Sequence, residues 1–124
     1  MSLRSPLGKV RGLGSAKEGV AHWWAQRMTA VALVPLLIWF VASVCAMTGA
    51  GYDAVHDWIA TPMVSITLVL LTLAVFHHAQ LGLQVVIEDY VHTEWLKIAS
   101  IAIVKFAAIG LAVASIFSIV KIAL

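Results

Sequence analysis

The run from Pro62 to Ile87 carries no Asp, Glu, Lys or Arg, yet holds two adjacent histidines, His77 and His78. About 20 apolar residues at ~1.5 Å rise each cross the hydrocarbon core of a bilayer, so this run can span it as one helix. An ionisable side chain inside such a span is costly, and its default reading is a functional group facing protein, cofactor or water. The run closes on Glu88-Asp89-Tyr90, at the depth where lipid tails give way to headgroups. A buried ligand and an interfacial polar cluster therefore share one helix, a pairing that points to membrane redox chemistry.

Two further runs, Thr29 to Met47 and Trp95 to Leu124, are also long enough to span. The whole chain of 124 residues is 62% hydrophobic and 11% charged, against about 25% charged in ordinary soluble domains. The expected fold is an all-α integral membrane protein with three transmembrane helices. A basic segment over 1–26, with a short interfacial helix, precedes a three-helix anchor over 27–124, with spans at about 27–48, 62–88 and 95–122. So little lies outside the bilayer that a separate soluble catalytic domain is excluded. Hard chemistry must come from a cofactor or from partner subunits. The first run follows a long basic lead and lacks an A-x-A-like cleavage site, so it is not read as a removable signal peptide. The single Cys45 cannot form an intrachain disulfide, and no C-x-x-C-H is present for covalent haem attachment. Cys45 is assigned to packing within the first span.

Charge is distributed unevenly. Arg4, Lys9, Arg11, Lys17 and Arg27 precede or open the first span, whereas the loop from Gly49 to Thr61 carries only Asp53 and Asp57, and the second loop ends at Lys97. The positive-inside bias then puts the N-terminus in the cytoplasm and the C-terminus outside. A juxtamembrane position explains the basic lead better than nucleic-acid binding does. Residues 1 to 14, basic and with Gly and Pro, are expected to be extended. Ser15-Ala-Lys-Glu18 has the form of a capping box that would start a short helix bearing His22, Trp23 and Trp24 to the interface. Pro35 is expected to kink the first span. Trp58 and Trp95 suit the outer and inner aromatic belts, and the small residues from Ala107 to Ser115 suit close helix packing.

At ~100° per residue, His78, Gly82 and Asp89 fall in one narrow helical sector, with His77, Gln80, Gln84 and Glu88 in a stripe beside it. Haem iron is commonly held by His, and a residue without a side chain one turn away lets a flat macrocycle approach the helix. Spacing alone leaves open which histidine ligates, and a neutral, helix-bridging histidine pair is the plain structural alternative. His77 and His78 point ~100° apart and cannot take opposite axial positions on one haem. The other histidines, His22, His56 and His92, lie outside the spans or at their edges. A bis-histidine iron would then take its second ligand from another polypeptide. The Tyr90 phenol, with Asp89 beside it, can orient and protonate a quinone carbonyl, or simply belong to the aromatic belt. Arg27 suits haem propionates or lipid phosphate. Glu88, Glu94 and His92 read as solvated loop residues, and Lys105 must snorkel or find a partner.

These residues together resemble the hydrophobic membrane anchor family of succinate dehydrogenase, respiratory complex II. The likeness covers nearly the whole chain: the basic lead, His22, Arg27-Met-Thr-Ala30, three spans, and His78-Ala-Gln-Leu-Gly82 followed by Asp89-Tyr90. The resemblance implies that His78 is an axial ligand of haem b, with Arg27, His22 and Gly82 beside the haem and the other ligand coming from a cytochrome b556 subunit. It implies that Tyr90 hydrogen-bonds ubiquinone, the substrate, with Asp89 as its neighbour. FAD and iron–sulfur clusters would reside only in the flavoprotein and iron–sulfur partner subunits. The location implied is a bacterial cytoplasmic (inner) membrane, crossed several times. His77 and Lys105 depart from the family pattern. The alternatives are an anchor of a related quinol:fumarate reductase, or a small non-redox membrane protein serving a transporter or assembly.

Overall fold

Long apolar segments in lipid have few options, since every backbone polar group must be satisfied internally, and a helix does this within one segment. The computed structural model describes residues 5–12 and 19–124, Lys9 by its backbone only. Every regular element among them is a helix: α1 (Pro6–Val10), α2 (Gly19–Ala46), α3 (Tyr52–Ala60), α4 (Pro62–Tyr90) and α5 (Glu94–Ala123). Helices α2, α4 and α5 have 28, 29 and 30 residues and are long and apolar enough to cross a membrane. At ~1.5 Å per residue each exceeds the roughly 30 Å of hydrocarbon, leaving turns at both ends for interfacial residues. The expected all-helical architecture with three candidate spans is therefore present.

The elements outside the spans differ from the sequence reading. Where an extended lead was expected, Ser5 Oγ accepts the Gly8 N–H at 3.1 Å, and Pro6 takes the first helical position, where no N–H is needed. One short helical turn results. The Ser15–Glu18 capping box lies outside the described residues. His22, Trp23 and Trp24 do not sit on a separate interfacial helix, because α2 runs unbroken from Gly19 into the first span. Pro35 lies within α2 without ending it. The helix stops at Ala46, and Gly49 then turns the chain at φ +85°, a conformation that disfavours any side chain.

The connection between α2 and α4, expected as an outer loop, contains the nine-residue α3. Pro62 explains its limits: the residue before a proline is driven out of the α region. Thr61 accordingly sits at φ −63°, ψ 123°, ending α3 and preceding α4. Trp58 of α3 stacks on Trp39 of α2, with ring centroids 5.9 Å apart. At the other end only Val91, His92 and Thr93 separate α4 from α5, which makes these helices antiparallel neighbours. Glu88 is in the last turn of α4, not in that connection, and Lys97 pairs with Glu94 at 3.7 Å in the first turn of α5.

Helix α4 is the centre of the arrangement. It packs on α2 and on α5, whose backbones do not approach each other closely, and α3 lies against α4 and α5. Thr29 of α2 meets His78 of α4, and Gln26 lies over Gly82. Both neighbours run antiparallel to α4, so the start of α2, the end of α4 and the start of α5 share one end of the molecule. The buried residues are Leu33 on α2 with Ser65, Leu68, Leu71 and Leu81 on α4; none lies on α5. Lipid tails are as apolar as leucine, so spans gain little from hiding apolar surface from them. Polar contacts and open surface, more than a core, mark where function lies.

Candidate functional site

The α2–α4 seam holds a side-chain hydrogen bond between two spans. His78 is half-buried there, with Nδ1 3.0 Å from Thr29 Oγ1. The same hydroxyl reaches back along α2 to the carbonyls of Ala25 at 2.7 Å and Gln26 at 3.1 Å. His77, by contrast, is exposed. The two histidines that spacing could not separate are thus separated by packing: one is held by a neighbouring helix, the other faces outward.

About one turn from His78 towards the α4 C-terminus, a groove of about 470 Å³ opens between α2 and α4, bordered by His22, Trp23, Gln26, Arg27, Gly82 and Val85. His22 Nε2 and Gln26 Oε1 are buried and find no hydrogen-bond partner among the described residues. Such atoms cost on the order of 1–3 kcal/mol each unless something meets them. The Arg27 guanidinium stands 5.6 Å from the Trp23 ring centroid, a cation–π distance at the mouth of the groove. A Cβ at Gly82 would lie 3.5 Å from Gln26 Nε2, an ordinary contact. This chain's own packing would therefore accept alanine there. His22, Arg27 and Gly82, chosen from sequence for different reasons, border one groove, and Gln26 joins them. Gln26 and Thr29 were missed as site residues. Their signal was the spacing His22, Gln26, Thr29, three polar residues on one face at the start of an apolar helix.

Asp89 and Tyr90 close α4 as exposed residues, ~18 Å along the helix from His78. They border neither the groove nor His78. Val91 caps the helix through its N–H to the Ile87 carbonyl at 2.9 Å, and the Tyr90 carbonyl lies 3.0 Å from His92 Nδ1. Beside them runs a hydrogen-bonded ladder, Gln80 to Gln84 at 3.3 Å and Gln84 to Glu88 at 2.8 Å. His77 and Gln80 border an open α4–α5 groove of about 410 Å³ with Lys105, Ala108 and Ala112, and His77 also borders a shallow α2–α4 groove with Thr29, Ala32 and Leu36. The small residues of α5 thus divide: Ala108 and Ala112 border α4, while Gly110 has nothing within 4 Å of its missing side chain. Cys45 is exposed on this chain rather than packed inside it.

The model of the succinate dehydrogenase/fumarate reductase transmembrane subunit family matches residues 1–114. The chain belongs to this family. A succinate dehydrogenase hydrophobic membrane anchor subunit from Rickettsia bellii (strain RML369-C) is 34% identical over 116 residues, covering 94% of this chain and 93% of the relative. The succinate dehydrogenase membrane anchor subunit of Reclinomonas americana is 31% identical over 75% of this chain and 80% of its own length. The anchor subunit of Paracoccus denitrificans is 30% identical over 82% and 79%. Family membership and three apolar helices make this a membrane anchor subunit of succinate dehydrogenase, a non-catalytic part of an oxidoreductase complex. The transporter and assembly-factor readings fall away.

Proposed function

We propose that this anchor supplies one axial ligand to a haem b and one wall of a ubiquinone-reduction site, in a bacterial cytoplasmic membrane. The observation that carries the haem reading is the α2–α4 seam: His78 is held by Thr29, one turn from two buried polar atoms without a partner among the described residues, His22 Nε2 and Gln26 Oε1. A haem fits this donor set. His78 would hold the iron. Arg27 and His22 would meet the propionates, since a guanidinium pairs with carboxylate through parallel hydrogen bonds. Gly82 would leave the groove open. When bound, the haem supplies one-electron storage at a potential tuned by its ligands and by burial. His77 is turned ~100° from His78 on the same helix, so a second histidine for the iron would come from a cytochrome b556 partner subunit.

Tyr90 would donate its phenolic hydrogen bond to a quinone carbonyl, and Asp89 beside it would help deliver the proton that accompanies each electron. Both are exposed on this chain, so the other walls of that pocket are the partners'. The iron–sulfur subunit would dock at this end of α4 and pass electrons derived from succinate at the flavoprotein's FAD. Charge supports a cytoplasmic N-terminus and an outer C-terminus. Arg27 and Lys97 belong to the Tyr90 end, and Asp53 and Asp57 to the α3 end. Lys121, in the last turn of α5, is a basic residue at the α3 end; there it complements the helix dipole. The relatives named above are succinate dehydrogenase subunits, which favours succinate oxidation over fumarate reduction.

The test is a dithionite-reduced minus oxidised spectrum of the complex purified through a tag on this chain. A b-type haem signal alongside flavin and iron–sulfur subunits is expected. An intact complex without that signal would remove the haem reading and leave the anchor function standing.

A further inference from the structure

We infer that Thr29 is a positioning residue for His78: its hydroxyl accepts the His78 Nδ1–H, which fixes the ring tautomer and presents Nε2 as the metal-binding nitrogen. This rests on the reading of His78 as the haem ligand. The assignment of donor and acceptor follows from counting protons. A threonine hydroxyl has one hydrogen and two acceptor lone pairs. At Thr29 that hydrogen points to the Ala25 carbonyl, the shortest contact at 2.7 Å. The same i to i−4 back-bond forms at Ser43, Thr67, Thr72, Ser115 and Ser118, so it is the habitual choice of hydroxyls in these helices. The lone pairs are left for His78 Nδ1 at 3.0 Å, and only a protonated Nδ1 makes that contact favourable. A neutral imidazole protonated at Nδ1 has its free lone pair on Nε2.

The consequence reaches the metal. A ligating histidine that donates its other N–H is oriented and made more basic, and such outer partners matter by roughly 10- to 100-fold in metal affinity. Because Thr29 is locked to Ala25, the ring is held by two helices at once: α4 supplies the ligand and α2 its orientation. A more basic imidazole favours ferric over ferrous iron, so the Thr29 hydroxyl lowers the haem midpoint potential.

The experiment compares Thr29→Val and Thr29→Ser in the complete complex, reading haem content, midpoint potential by optical redox titration, and the low-spin ferric electron-paramagnetic-resonance signal. Thr29→Val keeps the shape and removes the hydroxyl. The expected result is a potential raised by about 59 mV, corresponding to a tenfold change in the one-electron equilibrium, with a shifted low-spin signal. Thr29→Ser should restore both towards wild type. Should the valine variant not assemble, Thr29→Ala gives the same comparison. An unchanged potential and signal in the valine or alanine variant overturns the proposal, as does a serine variant that behaves like valine. His78→Leu separates the two levels. If it leaves the haem spectrum intact, the ligand reading fails and the Thr29 role with it; if it removes the low-spin signal while the Thr29 variants stay normal, only the Thr29 role fails.

Discussion

Helix α4 meets its two neighbours in different ways. Its seam with α2 contains a specified interhelical contact, Thr29 to His78, and a groove whose buried polar atoms have no partner among the described residues. Its seam with α5 has exposed His77 and Lys105 bordering an open groove floored by alanines. Unmet polarity is costly inside a membrane. In the first seam that cost falls on the buried His22 Nε2 and Gln26 Oε1, which a group entering the groove would relieve. In the second, the polar groups belong to exposed side chains, and Lys105 can extend to lipid headgroups or to a partner without a built receptor. Two ionisable residues at similar depth can thus have unrelated roles, and the neighbouring helix decides which is which.

The sharpest way to break this contrast is to exchange the histidines' fates. His78→Leu should abolish the low-spin b-type haem signal, whereas His77→Leu should leave it in place; the reverse pattern would move the site to the α4–α5 seam. Next in size is Tyr90→Phe, which asks whether the end of α4 works separately from the seam. Quinone reduction should fall by about 100-fold, the scale of a lost proton donor. Succinate oxidation with a water-soluble dye should persist and the haem spectrum should be normal. Equal loss of both activities in an assembled complex would sink the quinone role.

Gly82→Leu should fill the α2–α4 groove and lower haem content several-fold, with overpacking costing about 1–3 kcal/mol. Gly82→Ala should be much milder within this chain, since its Cβ would meet Gln26 at 3.5 Å. A haem-replete leucine variant would mean that the groove is not where the cofactor lies. Trp58→Ala should cost about 0.5–1.5 kcal/mol of thermal stability through loss of the stack on Trp39, with haem unaffected. The smallest effect is expected from Lys105→Leu: removing a charge within α5 should leave haem content unchanged and stability equal or higher. Haem loss there would show that the two seams are coupled.

Much of this was legible in sequence because the bilayer imposes simple rules. Three apolar runs had to be helices, and the short polar stretch between α4 and α5 made those two antiparallel neighbours. The polar end, Asp89-Tyr90, was legible for the same reason, since it stands where an apolar run stops. Less legible was α3, whose amphipathic run of nine residues is short enough to pass for a loop until Pro62 and the Trp39 stack delimit it. Glu88 was read as a solvated loop residue, yet it lies within α4, which continues past it to Tyr90.

The sequence by itself determined the number of candidate spans, the His-Gly and Asp-Tyr spacings along α4, and the family to which those spacings belong. These depend on local periodicity and on hydropathy, which need no partner helix. The tertiary structure alone decided that His78 rather than His77 is gripped, and that Thr29 grips it. It also decided that Gln26 shares its groove with His22, Arg27 and Gly82, and that Cys45 faces outward. Helical spacing tells which residues share a face; which face meets another helix depends on how α2 crosses α4, and that contact joins residues nearly fifty positions apart.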